Sequence, residues 1–275
     1  YYRLCPELKQ GGRTAAGIAV YVQLLGSDPV LMAANAAVAA KLGAPGIDLN
    51  FGCPAKTVNK SRGGATLLRT PEAVYEICSA VRDATPAAIP VTAKVRLGFD
   101  SDTQFEEIAE QALLSGIDEL TVHARTKAQA YRPPAHWRRL QDIVNPLDIP
   151  IIANGEIWTP SDLFDCKEQS GCNAFMLARG ALCRPDLARA VHAYCTGDPI
   201  EPMTWPEVSQ LLIDFFEANG ALYQRKYAIN PLKQWLVYLQ HCYPQAAALF
   251  AQVKRIRDPD DMRHALLGAT AAMAA

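Results

Sequence analysis

With 275 residues, half of them hydrophobic, and 27 basic against 28 acidic side chains, the chain carries enough apolar material for one large domain or two. A formal net charge of −1 excludes a protein held to nucleic acid by bulk attraction, while leaving room for a local basic patch. No apolar stretch approaches the roughly 20 residues of a membrane span and no signal-type segment opens the sequence, so a soluble, cytoplasmic protein is expected. The eight cysteines, at 5, 53, 78, 166, 172, 183, 195 and 242, form no C-x-x-C pair and no zinc-type grouping with histidine. Reduced thiols, mostly serving as small core hydrophobes, and no metal site are the expectation.

In chain order, short β-branched runs recur at 19–25, 47–51, 91–97, 120–124, 149–153 and 174–177, each followed by a helical pattern. Strands that alternate with helices predict a parallel sheet covered by helices. Strand starts lie about 24 to 30 residues apart, the spacing of βα units, except between 47 and 91. That gap leaves room for a long loop, 53–69, whose Lys56, Lys60, Arg62 and Arg69 around Gly63-Gly64 suggest a mobile cationic flap. Six strands are counted where a (β/α)8 barrel has eight, and no strand pattern precedes Tyr1. The sheet is therefore expected to be either open or short of two amino-terminal units.

After Asp198 the pattern changes, which divides the chain into a β/α domain over 1–198 and a helical domain over 199–275. Thr204 and Glu207 form a capping box, and Val208, Leu211, Leu212, Phe215 and Phe216 mark one helix stripe that Gly220 is expected to end. Further helices are predicted from Asn230-Pro231, after Pro244 and from Asp258-Pro259, making a bundle. Seven bases and seven acids balance over 201–275, yet no acid falls between Arg225 and Arg257. Arg225, Lys226, Lys233, Lys254, Arg255 and Arg257 are thus candidates for a one-sided basic face.

The residues able to carry chemistry sit at strand ends. Asp48 and Asn50 are polar residues in a buried strand, costly unless paired, and Gly52-Cys53-Pro54 bends the chain to present a thiol that can act as nucleophile or proton donor. Alternation places Thr92, Lys94 and Arg96 on one face, which in a barrel points inward; Lys94 is then a Schiff-base nucleophile or a cation beside a bound anion. His123 and Arg125, two apart on the next strand, face the same space. The glycine turns at Asn154-Gly155-Glu156 and Ala178-Arg179-Gly180 offer backbone N–H groups where barrels bind phosphate.

These residues carry a resemblance. Asn50-Phe51-Gly52-Cys53-Pro54-Ala55-Lys56, Lys94-Val95-Arg96, Val122-His123-Ala124-Arg125-Thr126, Asn154-Gly155-Glu156 and Arg179-Gly180-Ala181-Leu182 resemble the motifs of the tRNA-dihydrouridine synthases, over about residues 1–257. Residues 57–68 and Leu232-Lys233-Gln234-Trp235-Leu236 resemble the bacterial C-type subgroup, which reduces uridine 16 of the D-loop. The resemblance implies an FMN-binding TIM (β/α)8 barrel, here short of its first two strands, with a C-terminal helical bundle that grips tRNA.

It further implies that Gln23, Lys94, His123, Asn154, Gly155, Glu156, Ala178 and Arg179 hold FMN and that NADPH reduces it. Hydride then passes to C6 of uracil while Cys53 protonates C5. Asn50, Arg96, Tyr131 and Lys233 are implied to face tRNA. The family opens on a strand ending in Ala-Pro-Met that has no counterpart before Tyr1, so the chain is expected to be truncated relative to it. Ala178 stands where relatives commonly have glycine, harmless if its φ is negative. A flavoenzyme acting on a free pyrimidine, a flavin-less tRNA-binding module and a Lys94 aldolase are the competing readings; a monomer is expected.

Overall fold

A computed structural model describes residues 1–222, 224 and 227–271. Arg225 and Lys226, two of the expected basic residues, lie outside the described residues. By contacts the chain divides into two compact units, Tyr1–Glu156 with Phe164–Met176, and Ile157–Leu163 with Leu177 onward.

The first unit is built on six strands: β1 (Val22–Leu24), β2 (Ile47–Asn50), β3 (Val91–Arg96), β4 (Glu119–His123), β5 (Ile151–Asn154) and β6 (Ala174–Met176). Every pairing is parallel and the spatial order is the sequence order, β1 to β6. Because right-handed crossovers without a reversal of strand order put every helix on one side, this is the winding of a (β/α) barrel rather than of a doubly wound sheet. Six of the eight strands of the (β/α)8 pattern are present among the described residues.

Helices α1 (Pro29–Lys41), α3 (Pro71–Ala84) and α4 (Phe105–Leu114) follow β1, β2 and β3, and neighbouring helices pack on one another. Asp28 starts α1 by accepting the Leu31 N–H at 3.0 Å, with Pro29 fixing the first turn. In α3, Val74, Ile77, Cys78 and Val81 are buried, and in α4 Phe105, Ile108, Ala109 and Ala112. That i, i+3, i+4, i+7 stripe meets the apolar face of the sheet, with each large side chain contributing about 1.5–3 kcal/mol of burial.

Three expectations about local structure change. Residues 53–69 are not an open loop: α2 (Lys56–Lys60) and a 3-10 turn (Gly64–Arg69) occupy them, with Ala65, Leu67 and Leu68 buried. The apolar Leu67-Leu68 pair anchors the segment, while Lys56, Lys60, Arg62 and Arg69 remain exposed. Of the eight cysteines, all free, only Cys78, Cys166, Cys172 and Cys183 are buried. The first helix of the bundle runs past Gly220, because an exposed helical glycine weakens a helix without breaking it.

Helices α5 (Gln141–Val144) and α6 (Pro160–Ser170) follow β4 and β5. In the second unit, α7 (Arg179–Cys183) and α8 (Leu187–Thr196) precede four longer helices: α9 (Trp205–Leu222), α10 (Ile229–Leu239), α11 (Pro244–Val253) and α12 (Pro259–Ala271). The capping box forms, with Glu207 Oε2 accepting from both the Thr204 N–H, at 2.6 Å, and its hydroxyl, at 2.8 Å. Trp205, Val208, Leu212 and Phe216 of α9 meet Leu232, Leu236, Leu249, Val253 and Met262 in one core. Among the described residues no helix is long and apolar enough to cross a membrane, and no group of three or more His, Cys, Asp or Glu side chains is placed to hold a metal ion.

Candidate active site

Strand alternation separates the two faces of the sheet. Ile47, Leu49, Val91, Ala93, Val95, Leu120 and Val122 face the helices and are fully buried. The opposite face carries Gln23, Asp48, Asn50, Thr92, Lys94, Arg96 and His123, brought level by a register that pairs Gln23 with Asp48, Asp48 with Thr92, Asn50 with Lys94 and Arg96 with His123.

Asp48 accepts from Gln23 Nε2 at 2.7 Å and from Thr92 Oγ1 at 2.8 Å. Gln23 Oε1 in turn accepts from Asn50 Nδ2 at 3.0 Å, and Asn50 Oδ1 accepts the Gly52 N–H at 3.0 Å. Burial pushes the Asp48 carboxyl above the usual range, against the hydrogen bonds from Gln23 and Thr92 and the charge of Lys94. Burial, and next the charge of Arg96, lower the Lys94 ammonium to about 8, opposed by Asp48.

Cys53 follows β2, half-buried, on a backbone fixed from several sides. Its carbonyl accepts from Asn59 Nδ2 at 2.8 Å and from the Ala65 N–H at 3.1 Å. The preceding carbonyl, of Gly52, accepts from Arg96 Nε at 2.8 Å. Gly64 makes this approach possible: its φ is +59°, and a Cβ there would lie 2.8 Å from the Cys53 carbonyl oxygen.

Arg96 is 2% exposed, and its Nη1 donates to the carbonyls of Thr126 and Ala130 at 3.2 and 3.0 Å. Its charge lies near the Cys53 thiol, and the Tyr131 ring, half exposed, sits with its centroid 5.4 Å from the guanidinium carbon and 6.1 Å from the His123 ring. Asn154 Nδ2 donates to the Met176 carbonyl at 2.8 Å, tying β5 to β6, and the following Gly155 and Glu156 have φ of +117° and +57°.

The structure therefore brings Gln23, Asn50, Cys53, Lys94, Arg96, His123, Tyr131, Asn154, Gly155 and Glu156 to one unit, each within two residues of the carboxyl end of a strand or beyond it. Ala178, Arg179 and Lys233 belong to the helical unit. Ala178 has φ −139°, a region open to a methyl-bearing residue, and the Arg179 guanidinium lies 5.0 Å from the Trp158 ring centroid. Lys233 Nζ donates to the carbonyls of Lys254, at 3.1 Å, and Ile256, at 2.5 Å, and its ammonium is lowered by burial and by Arg257. Lys254, Arg255 and Arg257 are exposed around it.

Sequence reasoning did not assign roles to Asp48, Asn59 and Gly64, which hold the groups around the thiol. Their signals were present: Asp48 lies two before Asn50 on one face, and Asn59 and Gly64 flank the turn that returns to Cys53.

A half-buried thiol near the Arg96 guanidinium, at the carboxyl end of a sequentially wound parallel sheet, is placed where enzymes of this architecture bind substrates, and a thiol so placed can protonate an electron-rich atom or, as thiolate, attack an electron-poor one. The chain belongs to the dihydrouridine synthase family, whose pattern, described as "Dihydrouridine synthase (Dus)", it matches over residues 4–274. Among its relatives, it is 52% identical over 259 residues to the tRNA-dihydrouridine(16) synthase of Pseudomonas putida, covering 93% of this chain and 79% of that protein. It is 49% identical over 258 residues to the enzyme of that name from Aquipseudomonas alcaligenes, covering 94% and 82%, and 48% identical over 260 residues to that of Vibrio cholerae, covering 93% and 78%.

Proposed function

We propose that this protein reduces a uridine of the tRNA D-loop, at position 16, to 5,6-dihydrouridine, with FMN as its flavin, NADPH as the reductant and Cys53 as the proton donor. Family membership supports the reaction. The observation that carries the residue assignment is the fixed Cys53 backbone beside Arg96, on the face that also holds Lys94 and His123.

The residues present fit a flavin. Lys94 and Arg96 set two cations toward the carboxyl ends of this face, with the carboxylates of Asp48 and Glu119 in the register row below Lys94, an arrangement that suits the anionic pyrimidine edge of a reduced flavin. Gln23, Lys94, His123 and the backbone of Asn154, Gly155 and Glu156 would hold it; the part of Ala178 and Arg179, in the other unit, is what the family resemblance implies. When bound, the group supplies the hydride that adds to C6 of uracil.

Cys53 gives its proton to C5, and the charge of Arg96 then stabilises the resulting thiolate. Arg96 Nε and Nη1 are engaged with backbone carbonyls, so Arg96 contributes charge and position, while the half-exposed Tyr131 offers the base a ring at the mouth. Asn50, braced by Gln23 and Gly52, keeps one carbonyl lone pair for the uracil edge.

A uridine inside folded tRNA has to be turned out, at a cost of a few kcal/mol. Phosphate contacts from the exposed Lys56, Lys60 and Arg62, and from the Lys233–Arg257 side of the bundle, offset that cost and make binding salt-dependent. A cytoplasmic location follows from a tRNA substrate and suits eight free thiols.

The test is turnover of unmodified tRNA transcript against free uridine with NADPH, read by mass spectrometry of nucleosides and by flavin absorbance. Product at position 16 of tRNA alone supports the reading. Equal turnover of free uridine, or tRNA binding by a protein that takes up no flavin, rejects it.

A further inference from the structure

The reading above gives no task to Arg125, a second guanidinium buried more completely than Arg96. It is 0% exposed. Its Nη2 lies 2.7 Å from Glu156 Oε1 in an ion pair, its Nη1 lies 3.3 Å from His123 Nε2, and its Nε donates to the Pro134 carbonyl at 3.2 Å. A guanidinium has donors only and keeps its charge at any physiological pH, so a ring nitrogen facing one can only accept.

We propose that Arg125 is a positioning residue that holds His123 in one form, neutral with its proton on Nδ1, and through Glu156 holds the Gly155-Glu156 turn against that ring. The consequence for cofactor binding rests on the reading of this face as the flavin site; the tautomer does not.

Three observations converge on the ring. Gly155 packs so closely that a Cβ there would lie 3.0 Å from His123 Cδ2 and 3.4 Å from Nε2, so the imidazole is wedged between that glycine and Arg125. Glu156 keeps φ +57°, and its carboxylate is the anion that neutralises Arg125. Arg96 and Asn154, its register partners on β3 and β5, and Tyr131 from the loop after β4 also stand beside the ring. Arg125 Nη1 donates toward Nε2 and offers it no acceptor. The donor left to the ring is Nδ1–H, a neutral hydrogen bond rather than a second cation, which leaves Lys94 as the charged group for an anionic ligand edge.

The assignment can be read without activity. In 15N-histidine-labelled full-length protein the five imidazoles give separate long-range 1H–15N patterns, and His123→Gln identifies the one in question. The expected pattern, with and without bound FMN, is a protonated Nδ1 and a bare Nε2. In Arg125→Gln the same ring is expected to show the opposite tautomer or a second proton near pH 6, with flavin affinity about tenfold weaker, roughly one good hydrogen bond. Glu156→Gln is expected to leave the tautomer unchanged and to weaken flavin retention. A proton on Nε2 in the wild-type protein, or an unchanged His123 pattern in Arg125→Gln, overturns the proposal. Should Arg125→Gln fail to fold, the wild-type pattern alone decides. The expected tautomer in a protein that takes up no flavin would leave this proposal standing and remove the cofactor reading; flavin binding with Nε2 protonated would do the reverse.

Discussion

Arg96 and Cys53 are joined through a single peptide unit: the Arg96 Nε donates at 2.8 Å to the carbonyl of Gly52, the residue that precedes the thiol. The guanidinium that supplies charge near the sulfur is thus also the group that fixes the backbone carrying it.

Removing the thiol tests the chemistry alone. Cys53→Ala is expected to retain flavin and bind tRNA normally while dihydrouridine formation falls about 10²- to 10⁴-fold, the usual contribution of a positioned proton donor. Nucleoside mass spectrometry measures it, and product at the wild-type rate would remove Cys53 from the mechanism.

Arg96→Met leaves the carbonyls of Gly52, Thr126 and Ala130 without their donor in a 2% exposed site. A loss of about 2–4 kcal/mol in urea unfolding is expected, together with lower turnover. A variant as stable as wild type would show that these bonds do not hold the two loops.

Lys94 gives two pH dependences of opposite sign. Its ammonium is lost as pH rises through about 8, so the flavin-dependent rate is expected to fall about tenfold per unit above that point. An unfolded lysine keeps its proton to 10.5; between about 8 and 10.5 the unfolded chain binds more protons, and this group's contribution to stability rises with pH. NADPH oxidation and thermal melts from pH 7 to 10, on wild type and Lys94→Met, read both. An alkaline limb that survives in Lys94→Met would assign it to another group.

Gly64→Ala places a methyl 2.8 Å from the Cys53 carbonyl at a φ of +59°. About 1–3 kcal/mol of destabilisation is expected, with a fall in kcat larger than any change in KM for tRNA, because the carbonyl displaced belongs to the thiol's own residue. Crystallography of the variant would show the shift; an unmoved Cys53 with full kcat would disprove it.

Lys233→Ala removes the ammonium that ties α10 to the carbonyls of Lys254 and Ile256. Weaker tRNA binding with a shallower salt dependence is expected, while NADPH oxidation without tRNA stays normal. Filter binding across 50–200 mM salt is the measurement, and unchanged affinity would take this face out of the RNA surface.

The parallel sheet and the bundle were legible because their signals are local: β-branched runs at βα spacing, and the Thr204/Glu207 cap ahead of a 3.6-residue stripe. The inward face was legible from alternation, which set Thr92, Lys94 and Arg96 together before any pairing was known. What alternation cannot give is register, and register decides that Asp48 meets both Gln23 and Thr92. For the same reason nothing in the sequence showed that Arg96, implied to face tRNA, spends its Nε and Nη1 hydrogens on carbonyls of other loops. The 53–69 segment was misread as open because its charges are conspicuous and the anchoring Leu67-Leu68 pair is brief.

The hydrogen bonds running from Asp48 through Gln23 and Asn50 to the Gly52 N–H have a direction. A carboxylate accepts only, so it orients the Gln23 amide, that amide orients Asn50, and Asn50 is left to receive the peptide hydrogen one residue before the sulfur. Protonating Asp48 turns it into a donor and permits each amide in the row to flip end for end. Ionisation at the foot of one strand is thereby transmitted, without any backbone rearrangement, to the Phe51–Gly52 peptide, one unit ahead of the residue that carries the thiol.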